Sequence, residues 1–249
     1  MKQVQIIMGT PVIVEIVDNE AKQELFDEVF AYFKYVDEKF STYKDTSEIT
    51  KINKNKIKKE EYSDDMKEIF ALAEETKKLT HGYFDILTPS GTIDPSGLVK
   101  GWAIFNASKI LKGHGIKNFY VEAGGDIQIY GKNKRSEPWC IGIQNPFKET
   151  REVIKKVYLT DRGIATSGTY VRGEHIYNPL NPIKNDHDII SLTVIGPDIY
   201  EADRYATAAF AMGNNGILFI EELEGFEGYV IDKSGIATMT TGFNKYTKI

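Results

Sequence analysis

Asp203 and Thr207 stand four residues apart in a stretch of helical periodicity, so their side chains share one face. Carboxylate and hydroxyl oxygens are the hard donors that Mg²⁺ takes. Few are needed from the protein, because waters and substrate phosphates complete the ion's shell. A buried polar pair bonded to neighbouring backbone would use the same two residues. A second stretch, Asp94-Pro95-Ser96-Gly97-Leu98-Val99-Lys100-Gly101-Trp102, reads as a polar turn running into a helix. Asp94 and Ser96 are able to cap N–H groups there, and Gly97 lets backbone approach a ligand. A lysine beside a helix N-terminus favours phosphate; a capped amphipathic helix with a solvated lysine accounts for the stretch as well. Glu122-Ala123-Gly124-Gly125-Asp126 puts paired glycines at a strand end, which suits a ligand or a turn. Ala165-Thr166-Ser167-Gly168 leads to His175, a candidate general base near neutral pH or a packed or exposed histidine.

The elements that must hold these residues follow from periodicity. Residues 4–17 read as two strands broken at Met8-Gly9-Thr10-Pro11, with Val12, Val14 and Ile16 alternating. A helix is predicted over 20–40, with Leu25, Val29, Phe33 and Val36 as its stripe. Ser47 opens one or two helical turns, 54–61 is a charged loop, and Ser63 caps a helix through 79 with Met66, Ile69, Phe70, Ala73 and Leu79 inward. The helix after the Asp94 turn ends near 113–115. Strands are predicted at 118–121, 126–130, 139–143, 155–159, 163–166, 170–177 and 191–195. Helices at 199–212 and 215–223 and a hairpin turning at 233–235 close the chain.

Composition narrows the classes. With 249 residues, 41% of them hydrophobic, the chain is able to bury a substantial core. A net charge of −5 gives no expectation of nucleic-acid binding. The single cysteine, Cys140, excludes an intramolecular disulfide and a Cys-rich metal site. No apolar run reaches membrane-spanning length and the first residues lack a signal segment, so a cytoplasmic protein is expected. There is no Gly-x-Ser-x-Gly elbow, Walker A loop or Gly-x-Gly-x-x-Gly fingerprint, which argues against serine hydrolases, P-loop enzymes and Rossmann dehydrogenases.

Taken in order, Met8-Gly9-Thr10, Ser41-Thr42-Tyr43 with Ser47-Glu48-Ile49 and Asn53, Gly82-Tyr83-Phe84-Asp85, Asp94-Pro95-Ser96-Gly97 with Lys100-Gly101, Glu122 to Ile127, Ala165 to Gly168, His175-Ile176, and Ala202-Asp203 with Ala206-Thr207 form a series. This series resembles the ApbE family, the FAD:protein FMN transferases, over nearly the whole chain. The resemblance implies one mixed α/β (α+β) domain over 1–249, with two sheet-and-helix halves and FAD between them. It also implies Mg²⁺-dependent transfer of FMN from FAD to a Thr or Ser hydroxyl of an acceptor flavoprotein, releasing AMP. Two alternatives stand beside it: a Mg²⁺-dependent FAD pyrophosphatase giving FMN and AMP, and a non-catalytic flavin-binding protein. Carried over by motif, Met8, Tyr43, Tyr83, Asp94, Lys100 and Ile176 are FAD contacts. The Gly97 carbonyl, Tyr200, Asp203 and Thr207 belong to the metal. His175 and Asp203 are the catalytic residues, His175 as base for the acceptor hydroxyl, with Asp126 or a metal-bound hydroxide as the substitute. The chain departs from the family pattern in a short segment between Asp85 and Asp94, and at His81, Asn178, Leu180-Asn181 and Arg204.

Overall fold

The hairpin at the start of the chain sets the architecture. Strands β1 (Lys2–Ile7) and β2 (Thr10–Ile16) are joined by Met8 and Gly9, both at positive φ (56° and 68°). Two such residues in a two-residue loop give the turn whose twist matches antiparallel strands. The computed structural model describes residues 1–148, 152–169, 176–181 and 188–248. In β2, Val12, Val14 and Ile16 are fully buried on one face, as their alternation predicts.

Helix α1 (Gln23–Phe40) lays Leu25, Phe26, Val29, Phe30, Phe33, Val36 and Phe40 into that core. Helices α2 (Glu48–Asn53) and α3 (Asp64–Leu79) both start at serines whose side chains accept a backbone N–H, Ser47 from Thr50 and Ser63 from Met66. Helix α4 (Ser96–Gly113) begins four residues before Lys100, because Asp94 Oδ1 accepts the Ser96 N–H and the Pro95 carbonyl accepts from Leu98 and Val99. Leu79, expected inward, is 45% exposed; Thr76 and Thr80 are buried in the last turn of α3 instead, their hydroxyls bonded back to the carbonyls of Leu72 and Thr76.

The remaining elements are β3 (Phe119–Ala123), β4 (Asp126–Tyr130), β5 (Trp139–Gln144), β6 (Val153–Leu159), β7 (Arg162–Gly168), β8 (Ile189–Gly196), α5 (Ile199–Ala211), α6 (Gly216–Glu221), β9 (Glu227–Asp232) and β10 (Ala237–Met239). The strand expected over 170–177 falls mostly outside the described residues, and Ile176 and Tyr177 are not in a strand. Among the described residues, eight strands form one antiparallel sheet in the order β1-β2-β3-β4-β7-β8-β9-β10, and β5 pairs with β6. The two halves of the mixed fold therefore share a single sheet.

Side-chain alternation gives that sheet two different faces. Val121, Ala165, Leu192 and Val194 pack with the helices, whereas Tyr120, Ile127, Ile164 and Ile195 pack with Trp139, Ile143, Val157 and Leu159 of the β5–β6 hairpin. Two contacts seat α5 against the sheet. The fully buried Gln128 of β4 accepts the Ile199 N–H at 2.8 Å, and Asp198 caps the helix through the Glu201 N–H. At Gly163 any Cβ would lie 2.2 Å from the Asp198–Ile199 peptide, so only glycine admits this approach.

Candidate active site

Helices α4 and α5 cross where Gly101 has no side chain. A Cβ there would stand 2.7 Å from Asp203 Cβ, and the Gly101 N–H donates to Asp203 Oδ2 at 2.8 Å. One helical turn earlier on α4, the Gly97 carbonyl lies 3.4 Å from Thr207 Oγ1, one turn later on α5. The i, i+4 spacing of Asp203 and Thr207 thus presents both to the first turn of α4. Lys100 projects from α4 toward β4. Its Nζ is 2.5 Å from Asp126 Oδ2 and 3.9 Å from Asp203 Oδ1. Asp126, 1% exposed, is held from its other oxygen by the Thr166 N–H of β7 at 3.0 Å.

These residues border a cavity of about 870 Å³, within the range of small-molecule sites of roughly 300–1,000 Å³. Its polar end holds Asp94, Gly97, Lys100, Asp126, Asp203 and Thr207; Val4, Ile13, Ile141 and Ile143 make an apolar wall between the main sheet and the β5–β6 hairpin. Burial pushes the Asp203 carboxyl up to about 7, with the Lys100 ammonium opposing the rise and the Asp126 carboxylate adding to it. Among the described residues, two buried carboxylates face one ammonium at this end.

That imbalance and the donor set fit a hard divalent cation. Among the described residues no cluster of three His, Cys, Asp or Glu side chains forms a metal centre. Gly97 O, Asp203 Oδ1 and Thr207 Oγ1 offer three oxygens of different types from two helices. An ion that keeps waters and shares substrate phosphates suits such a set.

The ApbE family model matches residues 8–90 and 87–230. The chain belongs to the ApbE family. An FAD:protein FMN transferase of Vibrio cholerae is 31% identical over 64% of this chain and 48% of that protein, so the match spans about half its length. The Haemophilus influenzae FAD:protein FMN transferase is 24% identical over 97% of this chain and 90% of its own. Two solved ApbE folds superpose with a TM-score of 0.85 at 22% identity: the flavin transferase ApbE from V. cholerae, covering 99% of this chain and 98% of that one, and the ApbE protein from Thermotoga maritima, covering 100% and 99%.

Set on the ApbE fold, the residues carried over by motif fall into three groups. Tyr83, Asp94, Gly97, Lys100, Ile176, Asp203 and Thr207 all line the cavity. Met8, Tyr43 and Tyr200 do not line it. Met8 sits in the β1–β2 turn, partly buried against the helix-side core. Tyr43 is 97% exposed. The Tyr200 hydroxyl accepts from Arg204 Nη1 at 3.3 Å, and burial raises it to about 12, so it is a neutral phenol in a side-chain cluster. His175 lies outside the described residues.

Arg204 organises that cluster. Its guanidinium, 4% exposed, binds both Glu201 oxygens at 2.7 and 2.8 Å, reaches Thr76 Oγ1 of α3, and stacks within 4.9 Å of the Tyr200 ring and 4.8 Å of the Tyr205 ring. It anchors α5 to α3 while Asp203, its neighbour in sequence, faces α4. Sequence reasoning noticed Asp126 only as a substitute base and missed its ion pair with Lys100. The signal available was a carboxylate opening a strand after two glycines. Ile141 and Ile143 are legible as strand residues, but nothing local marks them as cavity wall.

No helix of the described residues is long and apolar enough to cross a membrane.

Proposed function

We propose that this protein transfers FMN from FAD to a Thr or Ser hydroxyl of an acceptor flavoprotein, releasing AMP, with Mg²⁺ held by Gly97 O, Asp203 and Thr207. The observation that supports it is that Gly97 O lies 3.4 Å from Thr207 Oγ1 and Asp203 Oδ1 lies 3.9 Å from Lys100 Nζ, all four residues lining one cavity of about 870 Å³. The family's curated members of the same name support the reading. Bound there, the cation supplies Lewis-acid neutralisation of the pyrophosphate.

The chain's own residues do the rest. Lys100 offers a charge-assisted hydrogen bond to a phosphate oxygen, where negative charge grows as the bond to AMP breaks. Tyr83 and Ile176 line the same cavity and offer apolar surface to a flat ring. His175, assigned from the motif, takes the proton of the acceptor hydroxyl as its oxygen bonds to the FMN phosphorus and AMP leaves.

Incubation with FAD, Mg²⁺ and an acceptor domain tests this, read by in-gel flavin fluorescence and AMP release. Covalent fluorescence that depends on Mg²⁺ is expected. AMP without a fluorescent acceptor would mean an FAD pyrophosphatase, and neither signal would sink enzymatic turnover. His175→Asn should keep FAD affinity within a few-fold and slow flavinylation by roughly 10²–10⁴.

A further inference from the structure

Two buried carboxylates compete for one ammonium beside the proposed cation. Lys100 Nζ contacts Asp126 Oδ2 at 2.5 Å and stays 3.9 Å from Asp203 Oδ1. Asp203 Oδ2 accepts the Gly101 N–H, and Oδ1 is the oxygen nearer the lysine. Asp126 is well fixed for this contest. It opens β4 opposite Ala123, is 1% exposed, and is pinned by the Thr166 N–H from the adjacent strand.

We propose that Asp126 is a positioning residue that holds the Lys100 ammonium off Asp203, keeping Asp203 Oδ1 available to the divalent cation. The inference rests on the metal assignment made above. With the Asp126 charge gone, the attraction of the Asp203 carboxylate, 3.9 Å away, is no longer opposed from the β4 side. Without the Asp126 charge, Lys100 closes the gap to Asp203 and neutralises the ligand. Asp126 thus sets metal affinity without touching the metal, as outer-shell partners of ligands commonly do.

The test is a titration with Mn²⁺ alone, followed by the electron paramagnetic resonance of free Mn²⁺, on wild type, Asp126→Asn and the double variant Lys100→Met/Asp126→Asn. Asparagine still accepts the Thr166 N–H through its Oδ1. Asp126→Asn is expected to bind Mn²⁺ on the order of 10–100-fold more weakly. The double variant, lacking the competing ammonium, should recover wild-type affinity or better. A merely structural Asp126 would leave the double variant as weak as the single one. That result overturns the proposal, as does Asp126→Asn binding like wild type or a wild type that binds no Mn²⁺. If Asp126→Asn fails to fold, the double variant decides alone, and Mn²⁺ binding weaker than wild type overturns the idea. Release of AMP from FAD by the wild type is measured in parallel. Its absence would sink the transferase reading while leaving the Mn²⁺ comparison intact.

Discussion

Gly101→Ala should damage the site more than the fold. A Cβ at Gly101 would meet Asp203 Cβ at 2.7 Å, the Ile199 carbonyl at 2.9 Å and Asp203 Oδ2 at 3.0 Å. Carbon atoms settle at about 3.5–4.0 Å, so α4 and α5 must part by most of an ångström or Asp203 must turn. Overpacking of this kind costs about 1–3 kcal/mol. Losing the hydrogen bond from the Gly101 N–H to a carboxylate costs roughly 1.5–3 kcal/mol more. Alanine returns about 1 kcal/mol of helix propensity. The net loss is then about 1.5–5 kcal/mol. Urea unfolding followed by tryptophan fluorescence would measure it, since Trp102 is the next residue. Mg²⁺-dependent AMP release should fall at least tenfold under conditions where the variant remains folded, because the added Cβ displaces the Asp203 carboxylate proposed to hold the cation. Gly113→Ala is the control. Nothing lies within 4 Å of a Cβ there, so stability should hold or rise by up to about 1 kcal/mol with activity unchanged. Wild-type AMP release and stability in Gly101→Ala would refute the view that α4–α5 contact sets the ligand geometry.

Three further outcomes follow from the described contacts. Lys100→Ala should weaken FAD binding by about 1–3 kcal/mol, the worth of a charge-assisted hydrogen bond, read by fluorescence titration; unchanged affinity would remove Lys100 from the phosphate. Arg204→Ala leaves Glu201 partly buried without its bidentate partner and should cost about 3–5 kcal/mol in denaturant unfolding. Arg204→Lys should recover little of it, for lysine has no planar fork to stack between Tyr200 and Tyr205. The raised Asp203 carboxyl gives a pH signature in the absence of divalent cation. Between the unfolded carboxyl range near about 4 and about 7, the folded chain keeps a proton that the unfolded chain has released. Wild-type stability measured against Asp203→Asn should therefore decline as pH rises through that window, and a flat difference would show that burial does not perturb this group.

Much of the fold is legible because local signals agree with it. Ser47 and Ser63 mark helix starts, and the stripe from Leu25 to Val36 is the buried face of α1. Strand β4 spans Asp126–Tyr130, where alternation places it. Strand order is not local. That β5 and β6 leave the main sheet and wall the cavity depends on which distant strands pair, which alternation does not encode. Within the site, Asp203 and Thr207 are legible from helical spacing alone. Tyr200 lies seven residues before Thr207, on nominally the same face, yet the Arg204 guanidinium takes its hydroxyl. A long cation four residues along the helix outweighs periodicity.

The bonds that assemble the active end of the cavity span great lengths of chain. Gly101 and Asp203 are 102 residues apart, Gly97 and Thr207 are 110, and Asp126 reaches Thr166 across 40. Contacts of such separation close late, since loop entropy is lost before they form. A nascent chain that has not yet emitted α5 holds Lys100 and Asp126 but lacks Asp203 and Thr207. The proposed cation site is thus assembled only once α5 has been made. On the proposed assignment, a bound divalent cation would draw the equilibrium toward the native state only after α5 has docked on α4.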